Sequence, residues 1–258
     1  MLKKLTEAFS LLPETESITL SGSRRSAIND ESSDWDVYIY SSSRIMPETR
    51  EKIFASIFPR FSVNCSPFEE GDECMDEDGR VYDIMYRSTE WTEWQIDDVY
   101  RKHNARVGYT TCFLYNIATS EVLFDRSGWL SSIIKELQGE YPEELRSNII
   151  RKNMDVIDGN GAFAFLIQAE LAVKRGDIVS NNHRLAAILA SYFDIIFAYN
   201  RVYHPGEKKL IGYAHFCKDL PMNMDENIEK AITTLGKPDH LDALRTLVSH
   251  LHDFTAGA

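Results

Sequence analysis

Cysteine is sparse in this chain and positive charge is in deficit. The four cysteines, Cys65, Cys74, Cys112 and Cys217, have no Cys-x-x-Cys spacing and no nearby histidine. That argues against a disulfide framework and against structural zinc, and a reducing cytoplasmic compartment is the expectation. His183, His204, His215, His240, His250 and His252 also lack metal-ligand spacing. Histidines two apart, such as His250 and His252, do not share a helix face. With 28 Lys and Arg against 40 Asp and Glu, the formal net charge is −12. An extended nucleic-acid surface is normally basic, so none is expected, although one nucleotide or one tRNA end needs only a local field. The acidity reads as a source of solubility, and it would also attract a cationic acceptor. The opening MLKKLTEAFSLL is too short and too polar for a signal peptide or a membrane span. Its Leu2, Leu5, Phe9 and Leu12 fit one face of an amphipathic helix instead. Internal repeats and low-complexity segments are absent.

What the chain does carry is the stretch TLSGSRRSAINDESSDWDVYIY, residues 19–40. An apolar run ends in Gly22-Ser23, a polar loop follows, and the β-branched and aromatic residues after Asp34 read as a strand. Residues i and i+2 of a strand face the same way. Asp34 and Asp36 would then aim two carboxylates at one point, with Trp35 on the opposite face. Adjacent anions repel unless a cation sits between them or one is protonated. Mg²⁺ suits such a pair, because it takes hard oxygen ligands and is usually held by one or two carboxylates plus substrate phosphates. Gly22 permits a tight turn and close backbone approach to a ligand. A helix starting near Ser23 would offer free N–H groups to an anion, with Arg24 and Arg25 beside it. The competing reading is a hairpin whose aspartates are solvated turn residues.

Gly-Ser, ten residues, then Asp-x-Asp resembles the signature of the nucleotidyltransferase superfamily related to DNA polymerase β, which includes the aminoglycoside and lincosamide nucleotidyltransferases. The segment GDE followed by YDIMYR, within residues 69–87, also resembles uncharacterised bacterial nucleotidyltransferase-like proteins. The resemblance implies transfer of a nucleoside monophosphate from a triphosphate, with ATP expected, to a hydroxyl of a small-molecule acceptor. It implies two Mg²⁺ ions held by Asp34, Asp36 and a third carboxylate on a neighbouring strand. Asp83, a lone acid in the apolar run VYDIMY, matches that third position as ligand, general base or both. An acid in such a run is costly to bury without a partner, and Arg80 or Arg87 would satisfy it equally if its role were structural. Gly22, Ser23, Arg24 and Arg25 would hold the β/γ-phosphates. Two other readings stand beside this one: nucleotidylation of a protein or tRNA, and a catalytically silent nucleotide-binding module.

Coarse patterning completes the layout. Strands are expected at 17–21, 36–40, 61–65 and 81–86, with shorter candidates at 110–115 and 121–124. Helices are expected at 47–58, where Pro47 suits a first turn, and at 90–104. Residues 66–80 carry seven Asp or Glu and read as a solvated acidic loop, with Glu70, Asp72 and Glu73 as exceptions that would lie near the site. Beyond residue 128 the periodicity turns helical: 142–157, 162–174, 183–199 and 239–254, with Asn223 and Glu226 in capping-box relation. The helix at 183–199 is apolar over much of its circumference and should be central. The fold class expected is therefore α+β, a nucleotidyltransferase domain of mixed sheet and helices over 1–128 followed by an all-α bundle over 129–258 that helps form the acceptor cleft. From that half, Arg175, Asn200, Arg201, Lys208 and Lys209 are cleft candidates, with Lys208 and Lys209 assigned to phosphate. A homodimer is a further expectation, since large apolar helices need partners.

Overall fold

The computed structural model describes residues 1–22, 34–65, 69–159 and 161–256. The chain divides into two compact units, Met1–Asp97 with Asn116–Glu140, and Asp98–Tyr115 with Tyr141–Ala258. Composition alone shifts near residue 128, but the compact units exchange segments on either side of that point.

The first unit is built on a six-stranded mixed sheet. Its strands are β1 (Thr15–Ser21), β2 (Trp35–Ser41), β3 (Arg60–Ser62), β4 (Gly71–Met75), β5 (Val81–Ser88) and β6 (Glu121–Asp125), in spatial order β3-β4-β5-β2-β1-β6. Among these strands only the central pair, β2 and β5, is parallel; the other neighbours run antiparallel. Alternation along the strands sorts the side chains. Ile18, Leu20, Val37, Ile39, Cys74, Tyr82 and Ile84 turn to one face and form the core with Leu5 and Phe9 of α1 (Leu2–Ser10) and Phe54 of α2 (Pro47–Ile57). The other face receives Ser17, Thr19, Ser21, Asp36, Tyr38, Tyr40, Asp83 and Arg87.

The acidic stretch contains a strand where a solvated loop was expected. Asp72 and Cys74 are buried on the core side while Glu73 is exposed, which is the period-2 pattern of β4. The charges hid it, because two of them serve as counter-ions. Arg50 of α2 is fully buried, and its guanidinium pairs with Glu70 at 3.0 Å and Asp72 at 3.4 Å. It also donates to Asn64 at 2.6 Å and lies 4.4 Å from the centre of the Tyr86 ring. Asp72 in turn accepts from the Asn64 N–H at 2.8 Å and the Tyr86 hydroxyl at 2.7 Å. Glu70 and Asp72 thus fasten α2 to the sheet, and a charge buried with this many partners is one the fold tolerates.

The chain leaves β5 into α3 (Thr89–Ile96), whose N-terminus is capped by Ser88 accepting from the Trp91 N–H at 2.9 Å, and then a π-helical turn, Asp97–Arg101. Residues 110–115, expected as a strand, instead lead into α4 (Cys112–Ala118). Thr110, Thr111, Leu114 and Ile117 are the buried positions there, a helical spacing that outweighs the β propensity of Thr, Phe and Tyr. After β6, the Asp125 carboxylate accepts from the Ser131 N–H in the first turn of α5 (Trp129–Leu137) at 2.8 Å and from the Ser17 hydroxyl at 2.8 Å.

The second unit is helical: α6 (Glu143–Asp158), α7 (Phe165–Lys174), α8 (Ile178–Tyr199), α9 (Leu210–Ala214), α10 (Met224–Thr233) and α11 (His240–Thr255). As expected, α8 is central, with an unbroken buried run from Ser191 to Ala198. Asn223 precedes α10 in a left-handed conformation, φ 51°, with no side-chain cap, so the capping box does not form. Within the buried run lies one acid. Asp194 accepts from the Thr110 N–H at 3.0 Å, the Thr110 hydroxyl at 2.6 Å and the Asn153 amide at 3.1 Å. Asn153 also accepts from the Gly108 N–H at 2.9 Å, so the network ties the 106–111 segment to α6 and α8. Gly108 sits at φ 70°, where an added Cβ would come within 3.0 Å of the Ala190 Cβ. Burial pushes the Asp194 carboxyl up to about 7 against the lowering effect of the bonds from Thr110 and Asn153. His204 is buried between the Tyr109 and Phe197 rings, and burial pushes it down to about 4, so it is a neutral core residue.

The sign for Asp194 follows from linkage. Between its unfolded value near 3.8 and its folded value near 7, the folded state holds one proton more than the unfolded state, so stability falls as pH rises through that window. Denaturant titrations of the parent and Asp194→Asn from pH 5 to 8 should diverge accordingly. The parent should lose ground to the variant by at most about 1.4 kcal/mol per pH unit up to neutrality, and none beyond. A pH-independent difference contradicts the assignment.

Candidate active site

The site is set by strand register. Asp36 of β2 lies opposite Asp83 of the parallel strand β5, and Asp83 lies opposite Glu73 of β4. Paired positions share a face and neighbouring strands run about 4.8 Å apart, so three acids stand in a row across the sheet. Ser21, the last residue of β1, is opposite Asp36 on the other side. These positions belong to the face that turns away from the apolar core.

Gly22 shows why its side chain is absent. Its φ is +87°, and a Cβ there would fall 1.8 Å from the Asp36 Oδ2. The chain therefore turns off β1 with its backbone laid directly against the Asp36 carboxylate, which only glycine permits. Asp34 is exposed and sits immediately before β2, outside the ladder that aligns Asp36 with Asp83. Ser23, Arg24 and Arg25 lie outside the described residues. Lys208 and Lys209 are exposed residues of the helical unit, between α8 and α9.

Other candidates have structural partners. Asn200 donates to the backbone carbonyls of Ile196 at 2.9 Å and Asp219 at 2.8 Å and accepts from the Asp219 N–H at 2.9 Å. Arg201 pairs with Glu143 at 2.8 Å. Arg175 is an exposed residue closing α7. Arg80 pairs with Asp76 at 3.9 Å and Asp78 at 3.4 Å. Arg87, on the site face, donates to the Asn116 Oδ1 at 2.8 Å, approaches Glu69 at 3.6 Å and stacks 3.9 Å from the centre of the Tyr38 ring. Burial pushes the Tyr38 phenol up to about 12, with Arg87 lowering it and Asp36 raising it. Sequence reasoning missed Asn116 and Ser21 altogether, since an asparagine in a helix and a serine in a strand give no local signal.

Among the described residues, no group of three or more His, Cys, Asp or Glu is placed to hold a metal ion. The donors that are brought together, Asp36 and Asp83, fit a hard cation that takes two carboxylates and completes its shell with phosphate and water, as Mg²⁺ does. Among the described residues, no helix is long and apolar enough to cross a membrane.

Comparison with known proteins gives the following. Residues 109–210 match a family described as a domain of unknown function, DUF4037. No curated protein matches the sequence. Among solved structures, the chain is similar to a nucleotidyltransferase-like protein from Exiguobacterium sibiricum 255-15, at 12% identity and TM-score 0.49, over 100% of this chain and 75% of that one. It is also similar to an aminoglycoside 6-adenyltransferase from Bacillus subtilis, at 10% identity and TM-score 0.32, over 99% of this chain and 90% of that one. The strand order and register above, with the helices that follow, define the fold as α+β.

The contact between Gly22 and Asp36 is testable by a double-mutant cycle. Gly22→Ala should cost about 1–3 kcal/mol in denaturant unfolding, from a strained φ together with a displaced carboxylate. In an Asp36→Ala background, where the clashing atoms are gone, only the backbone part, about 1 kcal/mol, should remain. Equal costs in both backgrounds contradict the geometry.

Proposed function

We propose that this protein transfers a nucleoside monophosphate, from ATP in the first instance, to a hydroxyl of a small-molecule acceptor, releasing pyrophosphate. The observation that carries the reading is the pairing of Asp36 with Asp83 across a parallel strand pair, with the Gly22 turn packed on Asp36. Side-by-side anions are unfavourable alone and useful around a cation. Asp36 and Asp83, with Asp34 adjoining β2, are the residues that would hold Mg²⁺. When bound, Mg²⁺ neutralises phosphate charge and activates oxygen nucleophiles. Asp83 would accept the proton of the attacking hydroxyl, a role open to a carboxylate of ordinary basicity within hydrogen-bonding reach. Gly22 and Ser23, with Arg24 and Arg25, would bind the β/γ-phosphates, and Lys208 and Lys209 are further phosphate-binding candidates. Aminoglycosides and lincosamides are the acceptors to try first, because the acidic chain favours a cation. The residues 1–128 are assigned to catalysis and 129–258 to the acceptor side, in a cytoplasmic protein.

The alternatives are nucleotidylation of a protein or tRNA, and a nucleotide-binding module without turnover; loss of one of the carboxylates Asp34, Asp36 and Asp83 would favour the silent module, and the sequence keeps all three.

These readings separate in a labelled-transfer assay with Mg²⁺, the four α-labelled triphosphates and a panel of aminoglycosides, lincosamides and tRNA. Labelled product is expected with the parent, falling at least about a hundredfold in Asp36→Asn, in line with the loss of a group that acts only in the transition state. Triphosphate binding with no transfer to any acceptor supports the silent module, and product unchanged in Asp36→Asn removes Asp36 from the chemistry.

A further inference from the structure

Behind the carboxylate row runs a relay of three side chains. Ser21 is 3% exposed, adjoins Gly22 and pairs in register with Asp36. Its hydroxyl oxygen accepts from the Asn116 Nδ2 at 2.8 Å, and its O–H donates to the Asn116 backbone carbonyl at a longer 3.4 Å. The Asn116 Oδ1 accepts from the Arg87 Nη1 at 2.8 Å. A guanidinium can only donate, so the amide oxygen must face Arg87 and the amide nitrogen must face Ser21. The charge on Arg87 polarises the amide in the direction that strengthens its donation to Ser21. Arg87 is four residues beyond Asp83 on the same strand face, opposite Tyr40. Its guanidinium lies 3.9 Å from the centre of the Tyr38 ring, and its Nε is 3.6 Å from Glu69. One amide on α4 therefore links the last residue of β1 to a cation rooted in β5.

Ser17 provides an internal comparison. It lies on the same strand and the same face, is fully buried, and donates to the Asp125 side chain at 2.8 Å. It sits at the end of β1 remote from Gly22. Loss of its bond should cost stability and nothing at the site.

We infer that Asn116 is a positioning residue for the phosphate-binding turn, acting through Ser21 to fix the end of β1 where Gly22 meets Asp36. The ligand whose binding it governs is a nucleoside triphosphate with its divalent cation. This inference rests on the nucleotidyl-transfer reading. With Asn116 in place, the Ser21 end of β1 has one hydrogen-bonded position. Without the amide, Arg87 loses this partner and Ser21 keeps only the longer bond to the Asn116 backbone carbonyl, so the end of β1 at Gly22 gains freedom that ligand binding must then remove.

The test is calorimetric titration of Mg–ATP into the parent, Asn116→Ala, Ser21→Ala, the double variant and Ser17→Ala, with Tm recorded for each. Asn116→Ala and Ser21→Ala should each raise Kd about five- to tenfold, the worth of one hydrogen bond. The double variant should bind no worse than the weaker single variant, because both remove the same link. Ser17→Ala should lower Tm and leave Kd unchanged. Ser21→Ala, which leaves the Arg87 bond intact, keeps the test decisive if Asn116→Ala fails to fold. Parent-like Kd in both single variants, or effects that multiply in the double variant, overturns the inference alone. Failure of the parent itself to bind Mg–ATP overturns the nucleotide reading and this inference with it.

Discussion

Two carboxylates held opposite one another on neighbouring parallel strands are the constraint on which the rest of the first unit depends. Asp36 and Asp83 share a register position because β2 and β5 are the parallel pair of the described sheet. A slip of β2 by one residue would send Asp36 into the apolar face beside Leu20 and Ile84, and would turn Val37 and Ile39 out of the core. That face is packed too well to allow it, with Ile18, Val37, Ile39 and Ile84 fully buried against α1 and α2. The hydrophobic core thus fixes where the charges go. The repulsion it enforces is the basis of the proposed cation site.

The two sheet faces are asymmetric in kind as well as in composition. The core face is closed by aromatic and aliphatic packing and by the buried Arg50 group, where the guanidinium meets Glu70 and Asp72. The site face is lined by hydroxyls and phenols at positions buried almost as deeply: Ser17, Thr19, Ser21, Tyr38 and Tyr40. Buried polar groups of this density need defined partners, and Asp125, Asn116 and Arg87 supply several of them. A face held by directional bonds keeps its side chains in one arrangement, which is the requirement for a preorganised site. The helical unit uses the same device where Asp194 and Asn153 hold the 106–111 segment.

The site's nucleus was legible in the sequence because its parts are local. Gly22, Asp34 and Asp36 lie in one stretch, and Asp83 declares itself as a charge inside an apolar run. The strands carrying them follow from alternation, and α8 from its apolar circumference. What was not legible depends on contacts distant in sequence. β4 was hidden among acids: Glu70, Asp72 and Glu73 were all expected near the site, but only Glu73 lies opposite Asp83, while Glu70 and Asp72 pair with Arg50, some twenty residues earlier in the chain. α4 was hidden because Thr110 and Phe113 favour strands, and only the burial of Thr111, Leu114 and Ile117 on one side reveals the helix. Asn116 gave no signal, since its meaning comes from Ser21, 95 residues away, and from Arg87, 29 away.

The most direct test of the central claim measures the cation site itself, independent of any acceptor. Mn²⁺ takes the same oxygen ligands as Mg²⁺ and is read by electron paramagnetic resonance. Titration of the parent, Asp36→Asn and Asp83→Asn in the presence of a non-hydrolysable ATP analogue should show one class of tight site in the parent. Each single variant should weaken it at least about tenfold, because either change removes one of two charged ligands. Mn²⁺ binding unaffected by both substitutions would contradict the account, since Asp36 and Asp83 would then be neighbours in the sheet with no shared ligand.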